Sequence, residues 1–343
     1  MNLLLAGDLG DAERATWAAA LRQALPGHTL HLLRGAVPDT QMDAAIVANP
    51  APGSLAGLPG LRLIQSLWAG VDRLLADPTL PPGVPVARMV DPAMTAAMAE
   101  TALWATLALH RGFFDYAAQQ RGGVWQQLPQ RRADEVVVLL LGFGQMGQAV
   151  AQRLVQQGYR VMAWRRGGST PHASAEAEAE AAAAAAAATA TATATAAAAG
   201  LGSAGITVAS GAAALPGLLA QAQVLINLLP LTPDTRGLIN AALLAALPRG
   251  AAVVNLARGA HLVDADLLAT LHSGQIGRAV LDVFANEPLP AGHPYWQHPQ
   301  ITVLPHAAAL TDQRSAAAVV AHNIGALAAG LPLQHLVQRG LGY

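Results

Sequence analysis

The chain has 343 residues, 53% of them hydrophobic, and a formal net charge of -1. All 20 of its basic residues are arginines and it has no cysteine, which excludes disulfides, Cys-ligated zinc, a Schiff-base lysine and a P-loop lysine. Because the charge is balanced and no basic run exceeds two residues, we expect no nucleic-acid surface. The length suffices for two domains with cores of their own.

The first hundred residues alternate short apolar runs with Ala- and Leu-rich amphipathic stretches. The runs are LLLAG (3–7), DAAIVAN (43–49) and LRLIQSLWAG (61–70), and Pro and Gly mark the joints between them. This pattern predicts a small α/β domain. The first residues have no basic segment before the apolar run, so we expect no signal peptide and a cytoplasmic protein.

A long helix is predicted to follow and to link two domains. Asp91 is placed to cap it and Pro92 suits its first position, and the helical pattern runs to about Gln120.

Residues 135–166 then predict a complete βαβ unit, with an apolar strand, a glycine turn, an amphipathic helix and a second strand. Further strands are predicted in 222–230, 250–257, 277–284 and 300–305. Their alternation with helical patterns indicates a parallel, doubly wound α/β sheet.

The glycine turn has the G-x-G-x-x-G spacing of a dinucleotide site, at Gly142, Gly144 and Gly147. In NAD enzymes an acid about 20 residues after the first glycine holds the ribose 2′-hydroxyl. Here Arg165 and Arg166 stand at that place, which favours the 2′-phosphate of NADPH, with NADH possible. The alternatives are that the glycine turn binds no ligand and that the two arginines only make the end of the strand soluble.

A low-complexity segment of Ala, Glu and Thr at about 173–200 has no apolar partner to bury, and we interpret it as an insert. From 181 to 199 it contains only Ala and Thr, without the larger apolar residues that drive membrane insertion, so no membrane span is expected.

Three chemically distinct residues follow predicted strands. Arg258 can bind carboxylate and ketone oxygens, His306 can donate a proton, and Glu287 can hold the imidazole and favour its charged form. Carboxyl ends of parallel strands meet at one edge of a sheet, where ligands bind, so together they suit the reduction of a 2-oxo acid. Taken singly, Arg258 also suits a solvated turn, Glu287 the start of a loop, and His306 a core position. No metal site is predicted, because His293 and His298 lack ligand spacing.

Four stretches together resemble consecutive signatures of the D-isomer-specific 2-hydroxyacid dehydrogenases. They are LLGFGQMGQAVAQRL (140–154), LINLLPLTPDTRGLI (225–239), VVNLARGAHLVDADLLATLHSGQIGRAVLDVFANEPLPAGHPYW (253–296) and ITVLPHAA (301–308). The resemblance implies an NADPH-preferring reductase that converts glyoxylate to glycolate and hydroxypyruvate to D-glycerate, with Arg258, Glu287 and His306 as its catalytic set. It also implies a homodimer formed through the cofactor domain.

The resemblance further implies binding residues that composition does not identify. The loop Trp68, Ala69 and Gly70 would bind the substrate carboxylate through backbone N–H groups, together with Arg258, and the ring of Trp68 would favour acids of two or three carbons. The remaining implied cofactor contacts are Gln145, Met146, Trp164, Leu228, Leu229, Pro230, Ala257 and Asp282.

The predicted architecture is two Rossmann-like doubly wound domains. A flavodoxin-like substrate domain comprises 1–98 and 310–343, and a dinucleotide-binding domain at 99–309 is inserted into it. Two other functions stay open at this point. The fold could serve another 2-oxo acid, or act as a nucleotide-sensing binding protein without catalysis.

Overall fold

The computed structural model describes residues 1–167 and 205–343; the predicted insert at 173–200 lies outside the described residues. Within the described residues the chain forms two units. The first unit comprises Met1–Met98, Pro230–Arg236 and Ala307–Tyr343. The second unit comprises Ala99–Leu229 and Gly237–His306. The assignment of substrate to one unit and cofactor to the other stays a prediction.

The sheet of the first unit has five parallel strands in the order β2-β1-β3-β4-β5. The strands are β1 (Asn2–Gly7), β2 (Thr29–His31), β3 (Ala44–Ala48), β4 (Leu63–Ser66) and β5 (Val86–Ala87). Every residue of β3 and β4 is buried, as expected where helices cover both faces of a parallel sheet. This strand order is the flavodoxin-like one.

Helices accompany this sheet at both ends of the chain. They are α1 (Asp11–Ala24), α2 (Asp72–Leu75) and α9 (Gln313–Ala329). α1 contacts α9, so the C-terminal helix packs onto the N-terminal part of the chain.

The linking helix α3 (Pro92–His110) begins as predicted, because the Asp91 carboxylate accepts hydrogen bonds from the N–H groups of Ala93 and Met94, both at 3.2 Å. It ends earlier than predicted. Gly112 takes a left-handed φ of 69° and starts a separate helix α4 (Phe113–Arg121). One predicted helix is therefore two, since a left-handed residue cannot continue an α-helix.

The sheet of the second unit has seven parallel strands in the order β12-β11-β10-β9-β6-β7-β8. The strands are β6 (Val137–Leu141), β7 (Arg160–Arg165), β8 (Ile206–Ser210), β9 (Val224–Asn227), β10 (Ala251–Asn255), β11 (Ile276–Leu281) and β12 (Ile301–Val303). The strand order reverses between β6 and β9. In doubly wound sheets a ligand binds at this switch point, beyond the carboxyl ends of the strands.

The helices of the second unit that the structure describes after α4 are α5 (Gln145–Gln156), α6 (Leu215–Leu219), α7 (Ala241–Ala245) and α8 (Asp264–His272). β6, β9 and β10 are buried along their whole length, which explains their continuous apolar sequences. The predicted α/β class with doubly wound sheets is confirmed. No helix in residues 1–167 or 205–343 is long and apolar enough to cross a membrane.

Candidate active site

The glycine turn after β6 is shaped by close backbone contacts. Gly142 has a left-handed φ of 101°, and a Cβ there would lie 2.9 Å from the carbonyl of Leu228. A Cβ on Gly147 would overlap the carbonyl oxygen of Gly142. A Cβ on Gly144, in contrast, would have no neighbour within 4 Å among the described residues. The first and third glycines are thus required by packing, and the second faces open space where a pyrophosphate can approach.

Helix α5 starts directly at this turn. Gly144 is its N-cap and no side chain caps it, so the N–H groups of Gln145, Met146 and Gly147 meet no capping side chain. The N-terminus of a helix also carries a partial positive charge. Both features suit a phosphate, and the described residues therefore fit the pyrophosphate of a dinucleotide.

The two predicted phosphate-binding arginines lie at the end of β7. Arg165 is exposed, and its Nε donates a hydrogen bond to Oγ of Ser210 at 3.0 Å. Arg166 is partly buried. The indole of Trp164 is buried, and its Nε1 donates to the carbonyl of Gly211 at 2.9 Å. Ser210, which sequence reasoning missed, adds a hydroxyl beside Arg165.

The predicted ribose-lining segment Leu228–Pro230 begins next to the glycine turn. The N–H of Leu228 donates to the carbonyl of Leu141 at 2.8 Å, so the segment continues the register of β6 and β9. The N–H of Leu229 donates to Oδ1 of Asn227 at 3.2 Å. Hydrogen bonds to β6 and to Asn227 therefore hold the backbone of Leu228 and Leu229 at the switch point.

Two of the predicted catalytic residues are in direct contact. Nδ1 of His306 lies 2.7 Å from Oε2 of Glu287, while Oε1 of Glu287 accepts a hydrogen bond from the N–H of Phe284 at 2.9 Å. His306 itself has a left-handed φ of 54°, and its N–H donates to the carbonyl of Asp282 at 2.8 Å. The imidazole is 52% exposed. Its Nε2 has no hydrogen-bond partner in the described part of the chain, so it is available to a ligand.

The third predicted catalytic residue, Arg258, follows β10 and is partly buried. Its Nη1 donates to the carbonyl of Ala257 at 2.8 Å. The next residue, Gly259, packs so tightly that a Cβ would overlap the backbone of Phe284 and Ala285. Since Phe284 holds Glu287, this contact joins the loop of Arg258 to the loop of Glu287. Sequence reasoning missed it, because Arg-Gly equally suits a solvated turn.

Asp282 and Ala257, two predicted cofactor contacts, are buried at the ends of β11 and β10. The N–H of Asp282 donates to the carbonyl of Asn255 at 3.0 Å. Its carbonyl accepts the bond from His306, so Asp282 links the end of β10 to one of the predicted catalytic residues.

Three fully buried polar side chains lie beneath these strand ends: Asn227, Asn255 and His261. They are hydrogen-bonded to one another. Sequence reasoning missed all three. An asparagine that ends an apolar strand, as in VLIN and AAVVN, is the signal that could have identified the first two.

The loop that follows Glu287 is anchored by Tyr295. Its hydroxyl donates to Oδ1 of Asp264 at 2.8 Å, and its ring stacks edge-on with His293 at 4.4 Å between centroids. Burial raises the pKa of Tyr295, and the hydrogen bond to the Asp264 carboxylate raises it further. The phenol therefore stays protonated and holds the loop to the start of α8.

The predicted substrate loop Trp68–Gly70 belongs to the first unit and follows β4. The N–H and carbonyl of Trp68 are both occupied, by Oγ of Ser66 at 3.0 Å and by the N–H of Met89 at 3.1 Å. Its ring lies edge-on to the buried ring of Trp17, with centroids 6.2 Å apart. Of the three N–H groups predicted to bind the substrate carboxylate, that of Trp68 is therefore already hydrogen-bonded to Ser66.

A cavity of about 550 Å³ in the second unit is lined by residues that include His110, Arg111, Arg131 and Tyr159. These residues precede β6 and β7 or end α3, so the cavity lies at the amino ends of the strands. In doubly wound sheets ligands bind at the opposite edge, and we do not assign this cavity to the active site. In residues 1–167 and 205–343 no group of His, Asp and Glu side chains is placed to hold a metal ion.

A glycine turn at a topological switch point, with a paired histidine and carboxylate at neighbouring strand ends, defines a class of protein: a dinucleotide-dependent oxidoreductase of the doubly wound α/β type. Comparisons with known proteins agree with this class. The family model described as "D-isomer specific 2-hydroxyacid dehydrogenase, NAD binding domain" matches residues 103–201 and 206–308.

Curated and solved relatives match the whole chain. The chain is 35% identical to glyoxylate/hydroxypyruvate reductase A of Yersinia enterocolitica and 36% identical to that of Serratia proteamaculans, each over 100% of both proteins. A D-isomer specific 2-hydroxyacid dehydrogenase from Xanthobacter autotrophicus Py2, solved with NADPH and MES, is 34% identical with a TM-score of 0.84; the match covers 100% of this chain and 99% of that one.

A further similar structure is an NADPH-dependent glyoxylate/hydroxypyruvate reductase from Sinorhizobium meliloti in complex with NADP and sulfate. It is 34% identical, with a TM-score of 0.81, and the match covers 100% of this chain and 99% of that one. The chain therefore belongs to the D-isomer-specific 2-hydroxyacid dehydrogenase family and is an oxidoreductase.

Proposed function

We propose that the protein reduces small 2-oxo acids with NADPH, converting glyoxylate to glycolate and hydroxypyruvate to D-glycerate. The observation that carries this proposal is the pair Glu287 and His306, with 2.7 Å between Oε2 and Nδ1 and the ring half exposed at a strand end. An acid-base histidine needs one nitrogen held by a carboxylate and the other presented to a ligand. The reductase names of the relatives indicate the substrates.

In the proposed reaction the residues have separate roles. When NADPH is bound, C2 of the oxo acid would receive a hydride from it. Nε2 of His306 donates a proton to the C2 oxygen, so that a 2-oxo acid, NADPH and one proton become a 2-hydroxy acid and NADP⁺. Glu287 holds Nδ1 and stabilises the protonated ring before transfer. Arg258 binds the carboxylate and the ketone oxygen through its planar group of N–H donors.

The proposed cofactor contacts start at the glycine turn. Gly142, Gly144, Gln145, Met146 and Gly147 would hold the pyrophosphate. Arg165 and Arg166, with Ser210, would bind the 2′-phosphate, which favours NADPH over NADH. Contacts to the rest of the cofactor would come from Trp164, Leu228, Leu229, Pro230, Ala257 and Asp282.

The ring of Trp68 would limit the length of the substrate. It lies edge-on to the buried ring of Trp17, with 6.2 Å between the centroids. The N–H groups of Ala69 and Gly70 would bind the carboxylate. This arrangement suits acids of two or three carbons.

The cofactor assignment is tested by substituting Arg165 with Asp and following absorbance of the reduced nicotinamide. The variant Arg165→Asp should raise the KM for NADPH roughly ten- to hundredfold, because a charged hydrogen-bonded pair is lost and a repulsion is added, and leave the KM for NADH little changed. Arg160→Asp is the matched control, since Arg160 is an exposed arginine at the opposite end of the same strand.

The wild-type assay with glyoxylate and hydroxypyruvate decides the reaction. The enzyme could instead turn over phenylpyruvate or a phosphorylated hydroxypyruvate and neither glyoxylate nor hydroxypyruvate. The proposed reaction class would then stand, and the proposed substrates would be wrong. Nucleotide binding without turnover of any 2-oxo acid would contradict the proposal and favour a nucleotide-sensing binding protein. A cytoplasmic location stays a prediction of the sequence.

We also propose a homodimer formed through the second unit. Four apolar side chains on or near α3 and α4 are strongly exposed: Trp104 (42%), Phe113 (54%), Val124 (51%) and Trp125 (99%). Such a group of exposed apolar residues is typical of an interface. Trp125→Ser should halve the mass measured by light scattering, whereas Leu33→Ser, at an exposed leucine of the first unit, should not. A monomeric wild type would contradict the dimer.

A further inference from the structure

The buried polar cluster of Asn227, Asn255 and His261 lies directly beneath the proposed catalytic residues. All three side chains have zero exposure. Buried polar groups are costly unless they are paired, so the partners of each atom identify what the cluster holds in place.

The amide of Asn227 has a fixed orientation. Its Oδ1 accepts from the N–H of Leu229 at 3.2 Å, and a backbone N–H can only donate. Nδ2 must therefore be the donor to both remaining neighbours, Oδ1 of Asn255 at 2.9 Å and Nδ1 of His261 at 2.8 Å. All hydrogen-bonding atoms of this amide are satisfied.

This orientation also determines the state of His261. Because Nδ1 accepts a hydrogen bond from Asn227, it carries no proton, and the ring is neutral with its proton on Nε2. His261 therefore differs from His306, whose Nδ1 faces a carboxylate.

The cluster then reaches the backbone of the active site. Oδ1 of Asn255 accepts from the N–H of Ala257 at 3.3 Å, and its Nδ2 donates to the carbonyl of Arg258 at 3.0 Å. The N–H of His261 donates to the same carbonyl at 3.2 Å. The backbone of Arg258 is thus held twice, and the backbone of Leu229 once.

We propose that His261, through Asn227 and Asn255, is a positioning residue that sets the backbone of Arg258 for binding the 2-oxo acid. This inference rests on the proposed function, in which Arg258 binds the substrate. His261 touches neither substrate nor cofactor in this role. It supplies the acceptor that keeps the Asn227 amide, and so the Asn255 amide, in a single orientation.

The direct test compares His261→Leu with His261→Asn. Leucine removes the acceptor and leaves a buried N–H of Asn227 without a partner, whereas the Oδ1 of asparagine can replace Nδ1. The leucine variant should lower kcat/KM for glyoxylate about ten- to hundredfold, as expected for a displaced binding group. The asparagine variant should retain most of it. The Kd for NADPH should change little in either, because the phosphate contacts lie on the glycine turn and Arg165.

A second readout does not depend on turnover. Hydrogen exchange of peptides that contain the amides of Leu229 and Ala257 should be faster in His261→Leu than in the wild type, and normal in His261→Asn. Nitrogen NMR of histidine-labelled wild type should find the His261 proton on Nε2. The exchange measurement decides the inference even if the wild type reduces no 2-oxo acid, in which case the proposed function alone fails. If the leucine variant does not fold, the exchange of His261→Asn, which should match that of the wild type, and the NMR spectrum of the wild type decide it instead.

Leu244→Ala is the control for lost stability, since Leu244 is fully buried in α7 of the same unit and its side chain takes no part in the hydrogen bonds of the cluster. It should lower the melting temperature without changing kcat/KM. Unchanged exchange at both amides in His261→Leu, a proton on Nδ1 in the wild type, or an equal loss of kcat/KM in Leu244→Ala would each overturn the inference.

Discussion

The two edges of the seven-stranded sheet each hold a histidine whose Nδ1 is hydrogen-bonded, and their surroundings differ. At the carboxyl edge, Nδ1 of His306 faces the carboxylate of Glu287 at 2.7 Å. At the amino edge, Nδ1 of His110 lies 2.9 Å from the hydroxyl of Tyr159, and its Nε2 lies 2.8 Å from the carbonyl of Arg131. Both nitrogens of His110 are therefore occupied by neutral groups.

The comparison indicates what would separate the proposed acid-base histidine from a structural one in the same unit. A carboxylate at one nitrogen stabilises the charged ring, and an open second nitrogen can exchange the proton. A phenol and a carbonyl satisfy the ring without favouring its charge, and leave no nitrogen for a substrate. The cavity beside His110 does not change this, because its histidine has no nitrogen left to offer.

The largest expected effect distinguishes the two histidines directly. His306→Gln should lower kcat about a hundred- to ten-thousandfold, the usual contribution of a positioned acid, because glutamine can hydrogen-bond but cannot deliver a proton. The Kd for NADPH should be unchanged. His110→Gln, assayed at saturating NADPH and glyoxylate, should keep its kcat. Equal losses in both variants would mean that the two edges do not differ in the way proposed.

Glu287→Gln should have the next largest effect. Losing a hydrogen bond to a charged group costs about 1.5–3 kcal/mol, or roughly ten- to hundredfold in kcat/KM, because the amide no longer presents an anionic oxygen to Nδ1 of His306. The control is Tyr159→Phe, which removes the neutral partner of His110 and should leave kcat/KM unchanged. A kcat/KM of Glu287→Gln equal to that of the wild type contradicts the assignment.

Two glycines, one at the carboxyl ends of the strands and one at the amino ends, differ in how closely other atoms approach them. Gly259 has a φ outside the left-handed region, yet a Cβ would overlap Phe284 and Ala285, so Gly259→Ala should cost about 1–3 kcal/mol of unfolding free energy and displace Glu287. Gly158 has a φ of 88° with an ordinary contact to Ala133, so Gly158→Ala should cost about 1–2 kcal/mol through conformation alone. Urea unfolding measures both. Turnover should fall only in Gly259→Ala. Unimpaired turnover in that variant would mean that the loop of Arg258 does not position the loop of Glu287.

Much of this site could be predicted from the sequence because it depends on local patterns. Apolar runs locate strands, and parallel strands bring their carboxyl ends to one edge. Arg258, Glu287 and His306 were therefore identifiable from their positions after strands, as were Gly142, Gly144 and Gly147 from their spacing.

What the sequence could not predict depends on contacts between distant residues. Asn227 lies 28 residues from Asn255 and 34 from His261, and Arg165 lies 45 from Ser210 across the insert. Nothing in these residues alone indicates that they meet. Gly112 was likewise missed, because its left-handed conformation is one of several that glycine adopts within a helical pattern.

The smallest expected effect concerns stability at the amino edge. Tyr159→Phe removes the hydrogen bond to His110 and should cost about 0.5–1.5 kcal/mol of unfolding free energy below pH 10. Burial raises the pKa of Tyr159 to about 12 from 10.0, against a smaller lowering by Arg111. The unfolded phenol therefore ionises first, and the wild type loses stability as pH rises from 10 toward about 12. Phenylalanine cannot ionise. Any loss of stability from ionisation of Tyr295 occurs equally in the wild type and in Tyr159→Phe, so it cancels when the two are compared. The advantage of the wild type over Tyr159→Phe should therefore shrink across this pH range in urea unfolding, and a constant difference would mean that Tyr159 is not held neutral by burial.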